Sequence, residues 1–385
     1  MLDMVRQLYC TFSDPQAARV VTKLNSNAKA AEYVLDHARA ALTVDRWFFN
    51  SDRTAHLLPF RNVTVDLRTG KTMPHDPRHC LTGCMQADYN PDADLGRVKE
   101  AFARFWPGDD DTAEQFQVAL GYSATGEVAA KRMFLMVGDQ VRADSNGDNG
   151  KSMVQGALTR LFGFERGGFG VGAKPQLIID VGDRDANSHD AAKGVLIWKR
   201  FAMASEFRVG ASVNSGEFNV LSGGDVIGAR PPHSQDTIQF INRASMWFSM
   251  NTPPRFKTWD QATKRRLTPF PFTQTFHNPG CAPAGGQEKD LSLKPWLESK
   301  AGQEALGAYL VEGAMKYYAL NNGSAGDFPD SAAVCQMREK ILAQSNPYHD
   351  FFEEFLVFDA TMDTLVSAMN SVLNRPLKKA ASTRV

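Results

Sequence analysis

Asn146-Gly147-Asp148-Asn149-Gly150-Lys151-Ser152 lies between two stretches with different periodicities. Upstream, Met133-Phe134-Leu135-Met136-Val137 is an uninterrupted apolar run, the pattern of a buried strand. Downstream, Met153, Val154, Ala157, Leu158 and Leu161 recur at the spacing of one helix face. A strand, a glycine-containing loop ending in Gly-Lys-Ser, and a helix form the context in which a loop cradles phosphate. Glycines let backbone N–H groups curl round the anion, and the helix N-terminus adds positive dipole. Lys151 can then reach β- and γ-phosphates, and the Ser152 hydroxyl can ligate Mg²⁺.

The full pattern, G-x-x-x-x-G-K-S, wants glycine where this chain has Ser145. The glycine that ends the apolar run is Gly138, so the loop is stretched from Asp139 to Asn146. Taken alone, the motif also reads as a polar surface turn ahead of an amphipathic helix. The rest of the chain bears on that choice.

At 385 residues there is room for two or three domains and a sizeable core. Lys plus Arg (43) equals Asp plus Glu (43), so no global basic charge points to nucleic acid, and any such contact must be local. No apolar stretch approaches the roughly 20 residues of a membrane span. The N-terminus lacks the basic-then-apolar layout of a signal peptide. Five scattered cysteines suggest reduced thiols and a soluble, intracellular setting.

The periodicity predicts helices over residues 1 to 45. Short strand-like runs follow at Trp47-Phe48-Phe49, Leu57-Leu58-Pro59-Phe60 and Val63-Thr64-Val65-Asp66-Leu67. Helical patterns return from Leu95 to Phe105 and from Thr112 to Gly121. His75, His79, Cys80 and Cys84 are residue types that bind zinc, but their spacing is not a standard paired one. Pro74, Pro77 and Gly83 favour a loop in which the thiols pack as small hydrophobes.

Beyond the loop, Leu177-Ile178-Ile179-Asp180 reads as the next strand and Phe201-Ala202-Met203-Ala204-Ser205-Glu206 as another, ending in a carboxylate. A carboxylate at a strand tip facing the loop can orient water and help to hold Mg²⁺, although a solvated strand end is the commoner explanation. Next come Leu221-Ser222-Gly223-Gly224-Asp225-Val226-Ile227-Gly228-Ala229-Arg230, then Ser245 to Met250 as a strand followed by Asn251 and Thr252-Pro253-Pro254. Asp260 leads through Lys264-Arg265-Arg266-Leu267 into Pro269-Phe270-Pro271-Phe272.

In that order, the motifs resemble those of superfamily 3 helicases, specifically the primase–helicase type of poxviruses, giant DNA viruses, phages and plasmids. Gly147, Asn149, Gly150, Lys151 and Ser152 match the family's P-loop, with Asp148 among them, and Glu206 matches its Walker B carboxylate. Gly223, Gly224, Asp225 and Arg230 match its third motif, Asn251 its sensor 1, and Arg265 and Arg266 its arginine-finger region. The likeness runs from about residue 45 to 358, taking in Leu57–Gly70, Tyr89–Ala93, Leu120–Gly126, Tyr309–Ala314 and Phe351–Leu356. Three features depart from the family: the long loop, Asn219 where the third motif usually carries lysine, and no primase-like segment before residue 45. The chain looks like the helicase part alone.

The resemblance implies an α/β P-loop ATPase core, an AAA+-like sheet flanked by helices, over residues 122–275. An N-terminal α+β region (1–121) and a C-terminal helical region (276–385) flank it. It implies ATP and Mg²⁺ as cofactors, the latter held by Ser152 and Glu206, and a hexamer working on single-stranded or forked DNA in an infected cell. A primase or polymerase partner belongs to the same picture. Lys151 would hold phosphates, Glu206 orient water, Asn251 sense the γ-phosphate, and Arg266, or its neighbour Arg265, reach a neighbouring subunit's nucleotide. In related helicases DNA contacts come from a hairpin between the third motif and sensor 1, here pointing to Arg230 and His233. Two rival readings stay open: a packaging or remodelling ATPase that does not unwind, and a non-catalytic relic serving as a scaffold.

Downstream, Leu306, Tyr309, Leu310, Gly313, Ala314 and Tyr317 form one helical stripe, and Tyr348, Phe351, Phe352, Phe355 and Leu356 another, both expected to be packing faces. Leu365, Met369, Val372 and Leu373 suggest a last amphipathic helix.

Overall fold

The computed structural model describes residue 36 and residues 48–138, 148–180, 192–205, 211–230 and 237–345. The helices expected before residue 45 lie outside that set, apart from Asp36. So do Asn146, Gly147, Glu206, His233 and the stripes beyond 345.

A three-stranded antiparallel sheet comes first: β1 (Leu57–Pro59), β2 (Thr64–Asp66) and β3 (Thr72–Met73). Two helices follow, α1 (Leu95–Ala103) and α2 (Asp110–Ala124). Each begins at an aspartate, Asp94 or Asp109, whose side chain accepts a hydrogen bond from a first-turn N–H. The central part contains β4 (Met133–Gly138), α3 (Lys151–Phe162), β5 (Gly170–Gly172), β6 (Phe201–Ser205), β7 (Ser212–Val213) and α4 (Ser215–Gly223). It continues through β8 (Val226–Ala229), β9 (Ile238–Ile241), β10 (Ser245–Met250), β11 (Arg255–Phe256), α5 (Gln261–Arg266) and β12 (Leu267–Phe272). Beyond lie β13 (Phe276–His277), β14 (Gln287–Glu288), α6 (Leu293–Glu298), α7 (Lys300–Leu320) and α8 (Ala332–Ser345).

Five of these strands make one all-parallel sheet in the order β12-β4-β10-β6-β5. Alternate side chains enter two different cores, as a parallel sheet covered on both faces requires. Phe134, Met136, Phe201, Met203, Trp247 and Phe270 face one core, while Met133, Leu135, Ala202, Ala204, Met246 and Phe248 face the other. On the first face an aromatic row crosses the strands. Phe134 stacks on Trp247 at 4.5 Å and Trp247 on Phe270 at 5.9 Å. Each such fully buried ring stabilises the sheet by roughly 1.5–3 kcal/mol of transfer free energy.

The edge strand β12 contains Pro269 and Pro271, which give up ladder donors. This is tolerated because, among the described strands, β12 pairs with β4 alone and lies at the edge of the sheet. The helical stripe on α7 packs as expected: Leu306, Tyr309, Leu310, Ala314 and Tyr317 are all buried. It meets the first helices through Tyr309 against Phe102 (5.4 Å) and Tyr317 against Tyr122 (5.1 Å).

Two strand expectations fail. Leu177–Asp180 is not a sheet strand: Pro175–Leu177 forms a 3-10 turn, and only Ile179 makes an isolated bridge, to Val213. Pro175 starts that turn because its fixed φ suits a helical first position and it lacks a donor for a ladder. The sheet position goes instead to β5, whose Gly-Val-Gly sequence carries no apolar run. Phe48 and Phe49 likewise fall in a 3-10 and turn segment, with Asn50 at φ 49°, and not in a strand.

Candidate functional site

The carboxyl ends of β4, β10 and β6 converge on the start of α3, as the parallel pairings Met250↔Val137 and Ser249↔Ser205 require. A cavity of about 840 Å³ opens there, lined by residues Asp148 to Met153 and by Gln155, Ser205, Ser249 and Asn251. It falls within the size range of small-molecule sites, roughly 300–1,000 Å³.

Local geometry explains the loop's residues. Asp148 and Gly150 both adopt left-handed conformations, at φ 54° and 80°. Only glycine suits the second, where a Cβ would also come within 2.3 Å of the Phe105 ring. Turned this way, the chain enters α3 with its first N–H groups lacking intrahelical partners.

Lys151 is only 6% exposed, and its ammonium donates to two neutral amide oxygens, Asn149 Oδ1 and Asn251 Oδ1, each at 2.8 Å. Gly138 makes room for this arrangement: a Cβ there would sit 2.6 Å from Lys151 Nζ and 2.7 Å from Asn251 Oδ1. Burial lowers the lysine pKa from 10.5 to about 8. Among the described residues its hydrogen-bond partners are neutral dipoles, and an anion delivered to such a buried cation would be bound strongly.

Of the residues singled out in the sequence, Asp148, Asn149, Gly150, Lys151, Ser152 and Asn251 share this cavity. Ser152 is exposed at its mouth and also lines an adjoining groove of about 1080 Å³. Glu206 lies outside the described residues, but Ser205 before it lines the cavity and accepts a hydrogen bond from Gln155 at 2.7 Å. Gln155 was legible in principle, since it stands one helical turn after Lys151 on the same face.

Arg265 and Arg266 are elsewhere. They end α5 just before β12, whose Leu267 pairs with Met133 at the far end of β4. The length of the strand, about 20 Å at roughly 3.3 Å per residue, separates them from the cavity. Arg266 is half-buried and donates to the Asn219 carbonyl in the middle of α4, whereas Arg265 is exposed. Asn219 also bonds Thr263 of α5 at 3.2 Å, so it ties these two helices together. Gly224, at φ 75°, ends α4 and leads into the β8–β9 hairpin, with Arg230 exposed just after β8.

The zinc-type cluster does not converge. His75 bonds Thr64 Oγ1 at 3.0 Å and the Arg61 carbonyl at 3.3 Å. Among the described residues no group of three or more His, Cys, Asp or Glu side chains could hold a metal ion. No described helix is long and apolar enough to cross a membrane.

One wall of the cavity has no signal in the sequence. Arg104 and Phe105 at the end of α1, together with Phe276, Lys289, Leu291 and Lys294, close it from segments remote from the loop.

The fold and site define a mixed α/β chain with a parallel central sheet and a lysine-bearing glycine loop at its strand ends. Residues 5–107 match the family described as "D5 N terminal like". The chain is 25% identical over 348 residues to "Putative helicase 184R" of Invertebrate iridescent virus 6, covering 82% of this chain and 33% of the relative. It therefore spans about a third of that relative's length. Among solved structures it is similar to the A form apo structure of the NrS-1 C terminal region, with 11% identity, a TM-score of 0.41, and coverage of 68% of this chain and 53% of that one. A second apo structure of that region gives 11% identity and a TM-score of 0.42, with 71% and 62% covered.

Proposed function

We propose that this chain is the motor of a DNA helicase in viral or mobile-element replication, hydrolysing ATP at the cavity around Lys151. The observation that carries the reading is the buried Lys151 ammonium, held by Asn149 and Asn251 against Gly138 at the carboxyl ends of the strands. The match of residues 5–107 and the similarity to a viral protein named as a helicase support the same direction.

In this reading Lys151 and the N–H groups opening α3 hold the triphosphate, and Asn251 contacts the terminal phosphate. The hydroxyl of Ser152 is exposed at the cavity mouth, where it fits a Mg²⁺ ligand, and Glu206 follows the cavity-lining Ser205. Bound there, Mg²⁺ would neutralise charge on the phosphates. Glu206 would orient the attacking water.

The arginines sit a strand's length from their own cavity, so in a ring they would serve the cavity of a neighbouring copy. Arg265, being exposed, is the better placed of the two. The β8–β9 hairpin carrying Arg230 and His233 would meet the strand.

ATP hydrolysis by the full chain, with and without single-stranded DNA, tests the reading, followed by strand displacement on forked DNA. Hydrolysis stimulated by DNA and abolished in Lys151→Ala is expected. Hydrolysis without displacement would indicate a motor that does not unwind, and absence of nucleotide binding would leave a scaffold.

A further inference from the structure

The cavity is larger than a triphosphate needs, and the surplus lies against the wall built by the chain after the sheet. That wall is tied to the loop at Asp148. The Phe276 N–H donates to the Asp148 carbonyl at 2.9 Å, and Lys289 Nζ pairs with the Asp148 carboxylate at 2.9 Å. Arg104 holds the same segment from the other side. Its guanidinium lies 5.2 Å over the Phe276 ring and donates to Gln287 Oε1 and the Glu288 carbonyl.

Leu291 is the unexpected residue of this wall. It is 67% exposed yet lines the cavity. Its neighbours hold it there: Asp290 accepts hydrogen bonds from the Ser292 N–H (2.8 Å) and hydroxyl (2.7 Å), and Arg97 of α1 donates to that hydroxyl at 2.9 Å. A leucine fixed outward in a braced turn, with the exposed Lys294 beside it, gains nothing for the core. It offers apolar surface to whatever enters the cavity.

We propose that this wall is the nucleoside subsite, where the base and ribose of a nucleoside triphosphate rest on Leu291 and the stem of Lys294, against the Arg104–Phe276 pair. The proposal rests on the reading of Lys151 as the phosphate ligand. Apolar side chains and a guanidinium stacked on a ring favour the flat face of a base, and the cations suit the charge that the nucleotide brings. The subsite also makes the segment from Phe276 to Lys294 part of the nucleotide grip, through Asp148.

Calorimetric titration of the full chain with ATP and with inorganic tripolyphosphate separates the two halves of the site. The wild type should bind ATP about tenfold or more tighter than tripolyphosphate. Leu291→Ser should weaken ATP about fivefold, leave tripolyphosphate unchanged, and leave the melting temperature unchanged because the side chain is exposed. Lys151→Ala should remove both. Equal affinities for the two ligands, both lost in Lys151→Ala, would overturn the subsite and leave the phosphate reading standing. Binding of both ligands indifferent to Lys151→Ala would overturn the phosphate reading and the subsite with it.

Discussion

Lys151 Nζ lies 2.8 Å from Asn251 Oδ1, joining the start of α3 to the end of β10 across 100 residues of chain. The contact places a cation at the meeting point of two adjacent strand ends, with burial holding its pKa near 8. Bound phosphate would raise that pKa again, because it favours the charged form.

Affinity for ATP should therefore be full below pH 8 and fall as pH rises through about 8, where the free lysine loses its proton. Between pH 7.5 and 9 the expected loss is about tenfold, with proton uptake on binding at the higher pH. The apo chain should show the opposite trend. Its folded pKa, about 8, is below the ordinary 10.5, so the unfolded state binds more protons between these values and stability rises through that window. Titrations in buffers of different ionisation enthalpy check the uptake, and a pH-independent affinity over this range would contradict it.

Gly138→Ala should damage the site without unfolding the chain. The new Cβ would lie 2.6 Å from Lys151 Nζ and 3.0 Å from Asn149 Nδ2, so the ammonium must leave its position. A displacement near 1 Å can cost about 100-fold in turnover. Steady-state ATPase assays and thermal melts check both halves. Wild-type turnover in this variant would show that the observed lysine position is irrelevant to catalysis.

The two arginines should separate in their effects. Arg266→Ala removes a charged donor from the Asn219 carbonyl in the middle of α4 and should cost about 1 kcal/mol of stability. Arg265→Ala should leave stability unchanged but lower ATPase activity by about 10³ or more, the scale of an arginine finger. Mixing Arg265→Ala with Lys151→Ala, with subunit exchange verified by fluorescent labels, should restore part of the activity at interfaces that pair an intact loop with an intact arginine. Exchange without any recovery would remove the support for a finger acting between subunits.

Asp330 should be among the costliest polar residues to lose. Its carboxylate meets Arg132 at 2.8 Å, Gln115 at 2.8 Å, and Arg338, and both guanidinium groups are almost wholly buried. Arg338 also donates to the Leu267 carbonyl at 2.6 Å, next to Arg266, so this cluster braces the segment that carries the arginines. Asp330→Ala removes the carboxylate that the buried Arg338 pairs with and leaves Arg132 with Asp327 alone, and should cost about 3–5 kcal/mol. Urea denaturation measures it, and a loss below about 1 kcal/mol would show that the cluster is not under electrostatic load.

The sequence by itself determined the elements whose signal is local. Met133–Val137 announces a strand by an unbroken apolar run and Ser245–Met250 one by Met-Trp-Phe between serines, Met153–Leu161 a helix by its period, and Gly150-Lys151-Ser152 the turn between strand and helix. Tertiary structure alone decided that Gly170–Gly172, and not Leu177–Asp180, joins the sheet, and that a strand with two prolines can close its edge. It also buried Lys151 beside Asn251, set Arg265 and Arg266 a strand's length away, and brought Phe276, Lys289 and Leu291 to the loop. The physical reason is one of range. Hydrophobic period and turn chemistry act over a few residues and are written in the chain. Parallel pairing joins segments through long crossovers, and the partners, burial and pKa of a side chain follow only once those crossovers have closed.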